Sequence, residues 1–373
     1  MREPPRQSTP VLHRIPRATM MIRISFKTLS VGLVALVSML ADHAGADQIT
    51  YGMVTVGDPG NANDTGGGGI GSVAYTYQIG KYDVTIGQYA AFLNAADPNG
   101  TNPNGIYETQ MQSDLNVAGI AYTAGSSAGA KYSAINNGGD SSNRPITYVS
   151  WFDAARFANW MTNGQGSGST ETGAYTLNGA TSGNAVAANP GAAFRLPTEN
   201  ESYKAAYYSP TLNSGAGGYY AYATQSNTAP GNIIGGTANQ ANYAAGGVWS
   251  VTQSGYDSTQ NYLTDVGVFS GSGSFYGTFD QTGSVLQWND LDGTDAASRG
   301  LRGGNWYDSY PFYISSSYSF SMAPSFNFSK AGFRLAGTGA SAVPEIDPNS
   351  FGSVLALVLG SLGLLERRRL KAA

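Results

Sequence analysis

The 373-residue chain contains no cysteine, and its only two histidines, His13 and His43, precede the point where an export leader is expected to end. Beyond His43 there is no thiolate nucleophile, no imidazole acid or base, and no thiolate or imidazole donor for a transition metal. Chemistry must come from carboxylates, hydroxyls and phenols. Two carboxylate pairs, Glu199/Glu201 and Asp290/Asp292, have the residue types that glycosidic cleavage uses. Glu201 is better explained as a helix-capping partner and Asp290/Asp292 as a turn. Serines are plentiful, yet a triad needs an imidazole, and the tight strand-to-helix context of a nucleophilic serine is missing. The run Gly66–Gly69 lacks the spacing and helix start of a phosphate loop and reads as a flexible turn.

Three short helices are announced by their first turns. Thr85-Ile86-Gly87-Gln88 is a capping-box pattern, followed by Tyr89, Phe92 and Leu93 on one face and a stop at Asp97-Pro98. Ser150 precedes a second helix whose buried stripe is Trp151, Ala154, Ala155, Ala158 and Met161, with Gly164 at its end. Thr198-Glu199-Asn200-Glu201 caps a third, bounded by Pro210. Short alternating runs near Val285, Leu301 and Phe333 read as strands. Loose Gly/Asn/Ser/Ala stretches cover roughly 57–71, 95–143, 163–193 and 213–283, with no repeat of fixed period. The dense segments never separate into two blocks, so one loop-rich α+β domain is expected.

Both ends carry export patterns. Basic residues (Arg14, Arg17, Arg23, Lys27), the apolar run Leu29–Ala41 and Ala44-Gly45-Ala46 form a secretory leader cleaved before Asp47. Residues 1–19 read as an unstructured extension, with Met20 or Met21 as the alternative start. Near the other end, Val343-Pro344-Glu345 precedes an apolar stretch from Phe351 to Leu365 and then Arg367-Arg368-Arg369. That apolar stretch approaches the roughly 20 residues a membrane span needs, and the arginines would hold its end on the cytoplasmic side. The expected organisation is an extension and leader at 1–46, a domain at 47–342, and a sorting or anchor segment at 343–373.

Between Asp47 and Val343, 10 Lys and Arg face 19 Asp and Glu, a net charge near −9 that the whole-chain value of −4 conceals. Such a surface repels phosphate backbones, so no nucleic-acid partner is expected. The 50 glycines and 24 tyrosines point to a loop-rich exterior protein held by aromatic packing.

Five segments resemble, in order, those of the formylglycine-generating enzyme (sulfatase-modifying factor) family. They are Tyr82–Asn94; Pro145 to Trp160 with Trp151 and Asp153; Phe194 to Glu199 with Arg195; Arg299 to Trp306 with Arg302 and Asn305; and Gly332 to Ala336 with Arg334. The resemblance implies a C-type-lectin-like, loop-rich α+β fold and a groove that holds an extended peptide. Six arginines (Arg144, Arg156, Arg195, Arg299, Arg302, Arg334) lie in or beside these segments, and their expected role is to bond irregular backbone. The family binds copper through two cysteines near its last segment, and related sulfoxide synthases hold iron with three histidines. The stretch Tyr310–Lys330 offers Met322 as its only sulfur, expected to pack rather than ligate. The family also binds structural calcium. Its acidic ligand position is Gln287 here, leaving Asn242, Asp265, Asp280, Asn289, Asp290 and Asp292 as weak oxygen candidates.

The C-terminal pattern resembles the PEP-CTERM sorting signal of Gram-negative bacteria, with Ile346 in place of the second proline. That resemblance implies processing by an exosortase-type peptidase, transient anchoring in the membrane, an exterior or envelope location and an association with exopolysaccharide. The leading expectation is an exported, non-catalytic module binding a glycan or peptide. The alternatives are an oxidase or other metal enzyme with unconventional ligands, and a self-assembling sheath protein.

Overall fold

A computed structural model of the protein describes residues 48–337. The leader, the 343–373 segment with Val343, Pro344, Glu345, Arg367, Arg368 and Arg369, and both expected domain boundaries lie outside the described residues. Among the described residues no helix is long and apolar enough to cross a membrane.

Three helices of at least two turns form where the caps foretold: α1 (Ile86–Ala96), α2 (Trp151–Thr162) and α3 (Glu199–Tyr207). Each opens with a complete capping box. Thr85 pairs with Gln88, Ser150 with Asp153, and Thr198 with Glu201, so two otherwise orphaned amides are satisfied at each start. Asp97 ends α1, and Gly164 at φ +81° follows the end of α2.

Two small sheets hold seven strands: β1 (Met53–Val56), β2 (Tyr77–Gly80), β3 (Leu286–Asn289), β4 (Arg299–Arg302), β5 (Phe320–Met322), β6 (Ala331–Gly332) and β7 (Ala336–Gly337). One sheet runs β1-β2-β7 with both pairings antiparallel. The other runs β5-β4-β3-β6, antiparallel except that β6 lies parallel to β3. Shorter two-stranded ladders decorate the loops. The expected loop-rich α+β class is the one the chain adopts, with strands beside Val285, Leu301 and Phe333 as anticipated.

The core gathers around α1 and α2. Tyr89 stacks on Phe157 at 6.1 Å, Phe92 meets Phe157 edge-on at 5.4 Å, and Phe333 caps Phe157 at 5.3 Å. The expected buried stripe of α2 was too narrow, because Arg156, Phe157, Asn159 and Trp160 are buried as well. The reason is the 163–193 loop, which wraps the helix and bonds to it. Asn159 donates to the carbonyls of Thr170 and Tyr175 and accepts from the Tyr175 amide, while Arg156 pairs with Glu171 at 2.8 Å.

Arginines tie the irregular parts together. From β6's flank, Arg334 donates to Gln287 on β3, to the Gly80 carbonyl on β2, to Asp83 and to the Phe279 carbonyl, all within 2.7–2.9 Å. One fully buried guanidinium thus joins both sheets. Arg195 grips Glu201 with both nitrogens, so the cap of α3 is locked from below. Arg302 reaches Glu199 and the Ser316 carbonyl and lies over the Tyr203 ring at 4.9 Å. Removing one partner of such a buried pair strands a charge and several carbonyls, at a cost of about 3–5 kcal/mol. Arg334→Ala is therefore expected to lower stability by that amount in thermal unfolding. Arg334→Lys should recover little, since lysine lacks the forked donors; a loss below about 1 kcal/mol for either would contradict the role given to Arg334.

Candidate functional site

The segment after β4 shows how the chain builds a surface. Gly304 has φ +71°, and a Cβ there would collide with Ile314, so the chain can turn tightly only with glycine. Asn305 then locks the turn: its amide and its Nδ2 both donate to Asp308 Oδ2 at 2.8 Å, and its Oδ1 accepts from the Tyr307 amide. The result sends Trp306 inward, 3% exposed, and Tyr307 outward, 43% exposed.

Trp306 and Tyr262 form a floor, stacked at 5.4 Å and 10° between planes. Tyr256 stacks on Tyr262 at 5.8 Å and stands edge-on to Tyr307 at 5.7 Å and 88°. Trp249 closes the group, within 5.5–5.9 Å of Tyr256, Tyr262 and Tyr307. Tyr256 and Tyr307 are half-exposed above this buried floor. Farther along the same segment, Tyr310, Phe312 and Tyr313 are exposed too.

Polar groups hold the rim. The Tyr256 hydroxyl donates to Asn116 Oδ1 at 2.7 Å, and Asn116 Nδ2 is fixed on the Asp257 and Gln260 carbonyls. Asp114 accepts the Asn116 amide and the Tyr148 hydroxyl, the latter at 2.6 Å. Tyr148 sits at φ +59°, a left-handed conformation that is unusual for an aromatic residue and that a binding surface can hold in strain. Its amide donates to the Phe328 carbonyl, and Trp306 Nε1 donates to that of Ser329. Next to Ser329, the Lys330 ammonium lies 4.0 Å over the Tyr307 ring. Burial lowers the Lys330 pKa and raises that of Asp308, each partly opposed by the other's charge. Trp249 Nε1 and Thr252 Oγ1 are buried without a hydrogen-bond partner.

The expected site residues divide in two. Trp151, Asp153, Arg195, Glu199, Arg302 and Arg334 are staples of the scaffold, whereas Asn305 and Trp306 build the platform. Asp290 is not simply part of a turn. It accepts from Trp151 Nε1 and the Tyr175 hydroxyl, both at 2.6 Å, and pairs with Arg299 at 3.3 Å. Burial pushes its carboxyl up to about 6, opposed by Arg299 and those two donors. Only Asp292 makes the expected turn, accepting from Thr294. Met322 packs against the main core, as expected.

The calcium candidates do not converge. Asn242 donates its Nδ2 to the Tyr262 carbonyl, Asp280 accepts the Gly267 amide, Asp265 is exposed, and Asp290 is committed as above. Among the described residues no three His, Cys, Asp or Glu side chains cluster as a metal site would need. The implied copper site fares no better, since residues 48–337 contain neither cysteine nor histidine and Cu(I) requires soft donors. These residues do not fit the group.

Sequence reading missed Trp249, Tyr256, Tyr262, Tyr307, Tyr148 and Lys330, because they come from loops with no shared pattern. If the platform serves a ligand rather than the fold, its two kinds of aromatic residue must behave differently. Tyr256→Ala and Tyr307→Ala should each cost under about 1 kcal/mol, while Trp306→Ala should cost about 3–5 kcal/mol in chemical denaturation. Equal losses at all three positions would make the platform simply another piece of core.

The sequence profile of the sulfatase-modifying factor enzyme 1-like domain matches residues 52–338. No curated protein matches the chain significantly. Among solved structures, CarF is 20% identical with a TM-score of 0.44, covering 78% of this chain and 99% of its own. Treponema denticola variable protein 1 is 18% identical with a TM-score of 0.40, over 78% and 96%. PvdO from Pseudomonas aeruginosa is 18% identical with a TM-score of 0.38, over 78% and 92%. With a profile match across most of its length, on a loop-rich α+β scaffold stapled by arginines from four of the five ordered segments, the chain belongs to the sulfatase-modifying factor family.

Proposed function

We propose that this is an exported, non-catalytic member of the family, working outside the cell as a binding or matrix-associated module whose glycan or peptide ligand lies on the Tyr256/Tyr307 platform. The observation that carries the reading is the platform itself: two half-exposed rings, prefixed by hydrogen bonds and by a buried stacked floor. Aromatic faces of this kind bury the apolar faces of sugars or side chains, and holding them rigid beforehand reduces the ordering cost of binding.

The chemistry of the core supports a binding role over turnover. An acyl or thiol-directed reaction needs a nucleophile activated by a base of suitable pKa. The buried carboxylates Asp83, Asp153, Glu201 and Asp290 are engaged with arginines, caps or tyrosines. Export rests on the leader ending at Ala46 and on the Val343-Pro344-Glu345 and Arg367-Arg368-Arg369 pattern, whose reader would be an exosortase-type membrane peptidase.

A glycan and peptide array probed with the full chain tests the role. Selective retention of one ligand class is expected, with at least a tenfold loss of affinity in Tyr256→Ala and Tyr307→Ala. Binding that persists unchanged in both variants would place the function elsewhere.

A further inference from the structure

Eight of the ten cations among the described residues donate hydrogen bonds to protein groups, and Lys330 is one of the two that do not. The other, Lys81, lies beside the paired Tyr82 and Phe279 rings, which are not among the platform residues. Lys330 instead stands at the platform's edge, its ammonium over the outward-facing Tyr307. Asp308, whose charge partly opposes the lowering of the Lys330 pKa, makes no ion pair with it within 4 Å and spends Oδ2 on Asn305. The Tyr307 ring supports the half-buried ammonium by a cation–π contact but supplies no hydrogen-bond acceptor, and an anion placed beside Tyr307 would add one.

On this basis, and resting on the binding role above, we propose that the ligand is a saccharide carrying an isolated carboxylate, with Lys330 receiving the carboxylate while neighbouring sugar rings lie on Tyr256 and Tyr307. Tyr256 and Tyr307 are held edge to face at 88°, and polar groups gather beside Tyr256 (its own hydroxyl, Asn116, the Tyr148 hydroxyl and Asp114). Sugars have that same division, with C–H faces and a hydroxyl edge. The carboxylate must be isolated because the core's net charge near −9 opposes a densely charged polyanion.

The test uses the full chain and three probes in calorimetric titration: a largely methyl-esterified oligogalacturonide with isolated free carboxylates, its fully esterified counterpart, and a glutamate-containing peptide. The first is expected to bind about tenfold tighter than the second, the contribution of one charge-assisted hydrogen bond. Lys330→Met, which keeps the stem over Tyr307, should erase that difference and leave the weaker binding of the neutral sugar intact. Lys330→Arg should retain it. Equal affinity for the two sugars, or a preference that survives Lys330→Met, overturns the carboxylate assignment while leaving the platform in place. Tighter binding of the peptide than of either sugar overturns the saccharide class. Failure of all three probes, together with wild-type array binding in Tyr256→Ala and Tyr307→Ala, sinks the platform reading itself.

Discussion

A buried backbone without long ladders must find hydrogen-bond partners elsewhere, and in this protein arginines supply them. Arg334 serves a strand carbonyl, a loop carbonyl, an amide side chain and a carboxylate at once. Arg302, Arg195 and Arg156 likewise combine a carboxylate with a carbonyl, and Arg299 and Arg144 serve carbonyls at other junctions. Each guanidinium has five donors in a planar fork, so it can satisfy several orphaned acceptors from different loops while remaining paired with an acid. Desolvating such groups is expensive, which is why the carboxylates opposite them sit within hydrogen-bond reach. The chain has no disulfide to fall back on.

That rigidity explains how long loops can carry a defined surface. The segments 112–116, 148, 249–262, 305–308 and 328–330 come from distant parts of the sequence. They meet because Asn116 bonds to Gln260, Tyr148 to Asp114, and Trp306 Nε1 to the Ser329 carbonyl, while Asn305 fixes the turn within its own segment. Tyr148 at positive φ is the local expense of this arrangement, offset by its hydroxyl bond to Asp114 and its amide bond to Phe328.

The sequence made the scaffold more legible than the site. Capping boxes are local, so Thr85, Ser150 and Thr198 announced their helices within four residues. The arginine roles followed from an irregular fold's need for acceptor partners. The burial of α2 on all sides was not legible, because the wrapping loop 163–193 has no periodic pattern and touches the helix through Asn159 and Arg156. Asp290 looked like half of a turn because its real partners, Trp151 and Tyr175, lie more than a hundred residues away. The platform was invisible for the same reason: stacking between Tyr262 and Trp306 has no signature in spacing, and the left-handed φ of Tyr148 has none in residue type. Only Asn305 and Trp306, inside a recognisable segment, pointed toward it.

A domain of this family with neither cysteine nor histidine in residues 48–337 should hold no copper and turn over no thiol. Oxygen consumption by the full chain, supplied with Cu(I) and a cysteine-containing peptide, tests this most directly. Uptake no faster than that of copper and peptide alone is predicted. Stoichiometric copper retention with oxidation of the peptide thiol would contradict it.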